Sequence, residues 1–123
     1  MNTAQLDHLR QMLLEERKRL QEALDYLKQE NPGSLEDETS ELSMNDDHLA
    51  ETATATLDRE IDYTIEESVL ARLAAVDGAL ERIERDEYGR CQSCGREIAL
   101  ERLEAVPWAR LCIDCKRREE RQA

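Results

Sequence analysis

The four cysteines constrain this chain most. They stand as two Cys-x-x-Cys pairs, "CQSC" at residues 91–94 and "CIDC" at residues 112–115, separated by 17 residues, and the sequence holds no others. A Cys-x-x-Cys turn bends the backbone so that both sulfurs face one point, and two such turns supply the tetrahedral shell that zinc takes. The spacer falls within the roughly 15–20 residues of the four-cysteine zinc pattern. Gly95, directly after the first pair, offers the backbone freedom such a knuckle needs. Cys91, Cys94, Cys112 and Cys115 are therefore assigned as ligands of one structural Zn2+. Four thiolates close the shell, which leaves no position for a substrate or an activated water. A dithiol redox pair would place one Cys-x-x-Cys near a βαβ pattern, and none occurs.

The rest of the chain explains why a metal is wanted. Of 123 residues, 37% are charged and 3% aromatic, with no Phe, one Trp and a mean hydropathy of −0.76. A globular core built from Leu, Ile and Ala alone would be thin, so an elongated helical chain with a metal-stapled module fits the composition best.

Leucines at 6, 13, 20 and 27 form a seven-residue repeat, with Leu9, Ala23 and Leu24 near the intervening heptad positions. That pattern predicts a coiled-coil seam over residues 4–30, ending at "NPG", 31–33. From Leu57 the apolar residues Ile61, Ile65, Val69, Leu73, Val76, Leu80 and Ile83 recur in steps of three and four, a second amphipathic helix to about Glu87. Gly78 is a weak point within it, not a terminus. Joined by so short a connection, the two stripes predict an antiparallel hairpin, with Leu20 and Leu73 buried in its seam. The expected fold is all-α: a coiled-coil hairpin over 1–87, and a zinc finger with a C-terminal helix over 88–123.

Between the stripes, Lys and Arg are absent from Gln29 to Asp58, while Glu36, Asp37, Glu38, Glu41, Asp46, Asp47 and Glu51 accumulate. The hairpin should therefore end in an acidic tip at about 31–56, some 40 Å from the finger at 1.5 Å per helical residue. Net charge is −12, which repels nucleic-acid phosphates and anionic membranes and favours a protein partner with a basic cleft. In the finger, acidic and basic residues nearly balance, which argues against a phosphate-binding face. The N-terminus has no apolar run of the signal-peptide kind, and no segment reaches transmembrane length, so a reducing cytoplasm is expected. His8 reads as a solvated helix residue, and Trp108 as a ring packed over the zinc knuckle. No nucleophile, His/Asp pair or phosphate loop points to an enzyme.

Taken as a unit, "DEYGRCQSCGREIALERLEAVPWARLCIDCKRREE" resembles the zinc-finger segment of the DksA/TraR family. The resemblance rests on the acidic-aromatic-Gly run into the first Cys, on "CGREI", on "RLEAVP" and on the "LCIDCK" close, and with the hairpin it covers nearly the whole chain. It implies a bacterial transcription regulator, a monomer, that binds RNA polymerase without DNA by inserting the hairpin into the secondary channel, where tip carboxylates act near the catalytic magnesium. Well-studied members carry Asp-x-x-Asp-x-Ala at the tip. The matching position here is "HLAETA", residues 48–53, where Glu51 and Ala53 follow the pattern and His48 replaces the first acid, just after Asp46 and Asp47. The local "DDHLAE" is similar to the tip of a Gram-positive branch of the family. A rival reading is a zinc-stapled coiled-coil adaptor or self-associating module, with thiol-redox sensitivity compatible with either.

Overall fold

The computed structural model describes residues 1–30 and 49–122, and for 49–62 the backbone alone. Its described elements are four helices: α1, Thr3–Glu30; α2, Leu49–Glu84; α3, Leu100–Ala105; and α4, Ile113–Gln122. No strand accompanies them among the described residues, only an isolated antiparallel bridge between Arg90 and Glu97. The chain is all-α, a helical hairpin followed by a small four-cysteine finger and a C-terminal helix.

α1 starts where its side chains can satisfy the free amides of a first turn. The Gln5 amide donates to Asn2 Oδ1 at 2.8 Å and the Asn2 amide donates to Gln5 Oε1 at 2.9 Å, a reciprocal capping box. α2 begins at Leu49, eight residues before the apolar stripe that announced it. Its first turns, rich in Ala and Thr, carry no apolar periodicity, and alanine's helix propensity leaves no such mark. The helix passes through Gly78 and ends in a Schellman turn: Glu87 N–H donates to Arg82 O at 2.8 Å and Asp86 N–H to Ile83 O at 3.3 Å. That turn requires a left-handed residue, and Asp86, at φ 57°, takes the place glycine usually fills.

Two compact units share the chain, one formed by Met1–Arg19 with the segment from Arg72 to the C-terminus, the other by Leu20–Ala71. In the first unit, Leu9 and Leu13 of α1 and Val76, Ala79 and Ile83 of α2 are buried. Arg17 Nε meets Asp77 Oδ1 at 2.7 Å, and Arg72 approaches Glu16 at 3.8 Å. Leu9 belongs to the core of the finger that follows α2, whereas residues 16 and 17 reach back to 72 and 77, so the two helices run antiparallel here. In the second unit Leu24 is buried. The expected burial of Leu20 and Leu73 is only partial, since both sit half-exposed. A straight helix has 3.6 residues per turn, so a strict seven-residue row drifts around its surface and the buried set passes instead through Leu9, Leu13 and Leu24.

Candidate metal centre

The finger is built on two turns and one shared core. Gly89 opens it at φ 86°, with its carbonyl accepting from Ile98 N–H at 2.7 Å. A Cβ at Gly89 would lie 3.0 Å from Met1 Cε, the end of an exposed side chain that can yield, and 3.7 Å from Leu103 Cδ1, an ordinary contact, so it is the conformation that calls for glycine. In the first knuckle Gly95, at φ 76°, donates its amide to Cys91 O at 2.9 Å, and Cys91 N–H reaches Arg96 O at 2.8 Å. Gln92 N–H then bonds Arg110 O at 2.9 Å, tying this knuckle to the second one. In the second, Lys116 N–H donates to Cys112 O at 2.9 Å as α4 begins, which puts Cys112 and Cys115 on its opening turn.

The outcome is a tight sulfur cluster. Cys91, Cys94, Cys112 and Cys115 are free thiols whose Sγ atoms all lie within 4.8 Å of one another, with Cys94 and Cys112 at 3.8 Å. Zinc–sulfur bonds of about 2.3 Å in a tetrahedron give sulfur–sulfur edges of about 3.8 Å, so the residues present fit that metal. Cys91 and Cys115 are buried, Cys112 is half-buried and Cys94 is exposed. Burial pushes the Cys91 thiol up, but the backbone amides of Cys112, Cys94 and Ser93 and the Cys94 thiol donate to it and bring it down to about 6. Cys115 moves the other way, to about 12, through its contact with Cys112 and then through burial. Crowded sulfurs favour one thiolate and hold a neighbour protonated, a conflict that a divalent cation removes.

Leu9, Ile98, Leu103, Ala109 and Leu111 close over Cys91 and Cys115, with Met12, Tyr88, Leu100 and Val106 packed at the margin. Tyr88 donates its hydroxyl to Pro107 O at 2.8 Å, and Arg102 Nε donates to Leu111 O at 3.0 Å.

Known proteins share this arrangement. Residues 86–121 match the prokaryotic dksA/traR C4-type zinc finger. The RNA polymerase-binding transcription factor DksA of Escherichia coli K12 is 32% identical over 119 residues, 94% of this chain and 72% of that protein. The chain belongs to the DksA/TraR family. General stress protein 16O of Bacillus subtilis is 37% identical over 113 residues, 91% of this chain and 66% of its own length. The structure of transcription factor DksA2 from Pseudomonas aeruginosa superposes with a TM-score of 0.72 at 32% identity, covering 99% of this chain and 88% of that one. The DksA/TraR family is one of regulatory factors, not enzymes.

The residues singled out in the sequence fare unequally. The four cysteines converge, and His8 is exposed on α1 as expected. Asp46, Asp47 and His48 lie outside the described residues, whereas Glu51 and Ala53 fall on the backbone of the first turns of α2. Trp108, expected to pack over the zinc knuckle, makes a contact outside it. Its ring lies under the Arg72 guanidinium, 4.4 Å from the centroid, so it joins the finger to α2 by a cation–π contact. Nothing local marks that pair, because 35 residues separate the two in sequence. No described helix is long and apolar enough to cross a membrane.

Proposed function

We propose that this protein is a transcription regulator that binds RNA polymerase directly and carries its acidic segment, residues 31–56, into the secondary channel to modulate initiation. The observation that carries this reading is the 32% identity, over 94% of the chain, with a protein named for binding RNA polymerase and acting as a transcription factor. Physical chemistry supports it. A site closed by four thiolates performs no chemistry on a substrate. A channel that handles nucleotide polyanions must be basic, and it attracts a segment free of Lys and Arg on a chain of net charge −12.

In this reading Cys91, Cys94, Cys112 and Cys115 hold one structural zinc per chain. When bound, the metal supplies a cross-link to a finger too poor in apolar residues to fold alone. The finger, 88–123, anchors the hairpin, 1–87, and the hairpin delivers Asp46, Asp47 and Glu51, with His48 and Ala53 beside them. The protein acts as a cytoplasmic monomer and reads polymerase, not a DNA sequence.

The test has two stages. The zinc-loaded protein is first expected to recover polymerase subunits from a bacterial lysate and to bind purified core enzyme; failure of both would overturn the assignment. Wild type and the Asp47→Asn/Glu51→Gln variant are then compared in transcription in vitro at matched occupancy on polymerase. The variant is expected to bind and to lose the regulatory effect. Equal activity of the two would remove the acidic segment from the mechanism.

A further inference from the structure

Beside the four sulfurs lies an open recess of about 390 Å³, lined by Cys94, Cys112 and Cys115 and by Arg96, Arg118, Arg121 and Asp114. Two elements bring these charges together. Arg96 follows the first knuckle, while Asp114, Arg118 and Arg121 fall at i, i+4 and i+7 on α4, along one face.

Several other basic groups nearby are already engaged. Arg110 and Lys116 share Glu119, at 3.1 and 3.8 Å. Arg102 bonds Leu111 O, and Arg72 covers Trp108. Among the described residues, Arg96, Arg118 and Arg121 make neither an ion pair nor a side-chain hydrogen bond, although the chain as a whole has 29 acidic residues against 17 basic ones. Arg90 and Arg117 have no such partner either, but only Arg96, Arg118 and Arg121 line the recess beside the sulfurs, and that convergence in so acidic a chain calls for a cause.

The charge of the centre supplies it. Zinc on four thiolates carries a formal −2, and Asp114 adds −1, which three guanidiniums balance. We infer that Arg96, Arg118 and Arg121 are the counter-charge of the zinc–tetrathiolate, positioning residues that raise its zinc affinity by stabilising the dianion across the recess. The same balance argues against a site for an external anion, since the loaded recess has no excess positive charge to offer one. The inference rests on zinc occupying the centre, as proposed above.

For an assumed charge separation on the order of 8 Å in a solvent-like dielectric, each guanidinium should strengthen zinc binding about threefold, and the three together about 30-fold at low salt. The test uses the full-length, zinc-loaded protein in competition with a metallochromic chelator, comparing wild type with R96Q/R118Q/R121Q and with R96K/R118K/R121K. The glutamine variant should lose zinc at about 30-fold lower chelator, and the lysine variant should stay within about threefold of wild type. High salt should shrink the difference between wild type and the glutamine variant. Far-UV circular dichroism of the loaded proteins establishes that the helices are intact, and R118Q alone serves where the triple variant fails to fold.

Equal zinc affinity of the glutamine variant and wild type would overturn the inference. So would equal, salt-independent losses in the glutamine and lysine variants, which would make the arginines packing groups. A wild type that holds no zinc would overturn the metal assignment and this inference with it, an outcome distinct from a zinc-loaded protein indifferent to its arginines.

Discussion

Replacing Leu9 with alanine should loosen the hairpin and the metal centre together. Leu9 is 1% exposed, and it is the one residue of α1 that belongs to the buried cluster containing Cys91 and Cys115. Truncation removes three carbons from that cluster, about 2.4 kcal/mol at about 0.8 kcal/mol each. A residual void of about 40 Å³ adds roughly 1 kcal/mol, so the expected cost is about 3 kcal/mol. Against a typical domain stability of about 5–15 kcal/mol, the variant remains folded but is clearly weakened. Every 1.4 kcal/mol of that loss that falls on the finger lowers zinc affinity about tenfold. The assay pairs urea denaturation of the zinc-loaded protein, followed by far-UV circular dichroism, with chelator competition for zinc. Leu24→Ala is the control: it is 5% exposed and lies in the other compact unit, so it should reduce stability by a similar amount with zinc affinity within about twofold of wild type. Leu14, 43% exposed, should cost less than about 1 kcal/mol on truncation. The reasoning is refuted if Leu9→Ala holds zinc as tightly as wild type, or if Leu24→Ala releases it as readily as Leu9→Ala does.

Other expectations follow from single features of the finger and its flanks. Cys112→Ser, or removal of zinc by a chelator, should unfold residues 88–122 while α1 and α2 keep much of their helical signal; an unchanged near-UV spectrum around Trp108 would contradict this. Asp86→Gly should raise stability by about 0.5–1 kcal/mol, because glycine adopts the left-handed turn at φ 57° without strain, and a lower denaturation midpoint would count against the Schellman assignment. Gly89→Ala should cost about 1–2 kcal/mol for the opposite reason, since its φ of 86° strains any side chain. Burial pushes the Tyr88 hydroxyl up to about 12, against the partial opposition of Arg82. Its stabilising contribution is therefore complete below the unfolded value near 10 and is lost as pH rises from there through about 12. Tyr88→Phe should flatten that alkaline limb, which tyrosinate absorbance and unfolding measured side by side would reveal.

Local chemistry made much of this protein legible in advance. The metal ligands could be read because a Cys-x-x-Cys turn is a short-range device: the residues that aim the first sulfur pair, Gly95 and Arg96 among them, lie in or directly after the motif. The long helices could be read because apolar periodicity expresses backbone geometry, although α2 extends to Leu49 through Ala and Thr turns that carry no stripe. The capping box of Asn2 and Gln5 is likewise local, held between two residues three apart in the chain.

Tertiary structure alone decided which residues serve two elements at once. Leu9 looks in sequence like any other seam leucine, yet it completes the core of a finger that begins about 80 residues later. Trp108, four residues before a metal ligand, also meets Arg72 of α2. Leu20 keeps perfect heptad register and is only half-buried, while Leu24, off that row, is covered. The three unpaired arginines come from two segments that meet only when both knuckles close on one point. A periodic pattern records which face of an element is apolar, but the partner of that face is set by packing between residues far apart in the chain, where neither spacing nor composition carries a signal.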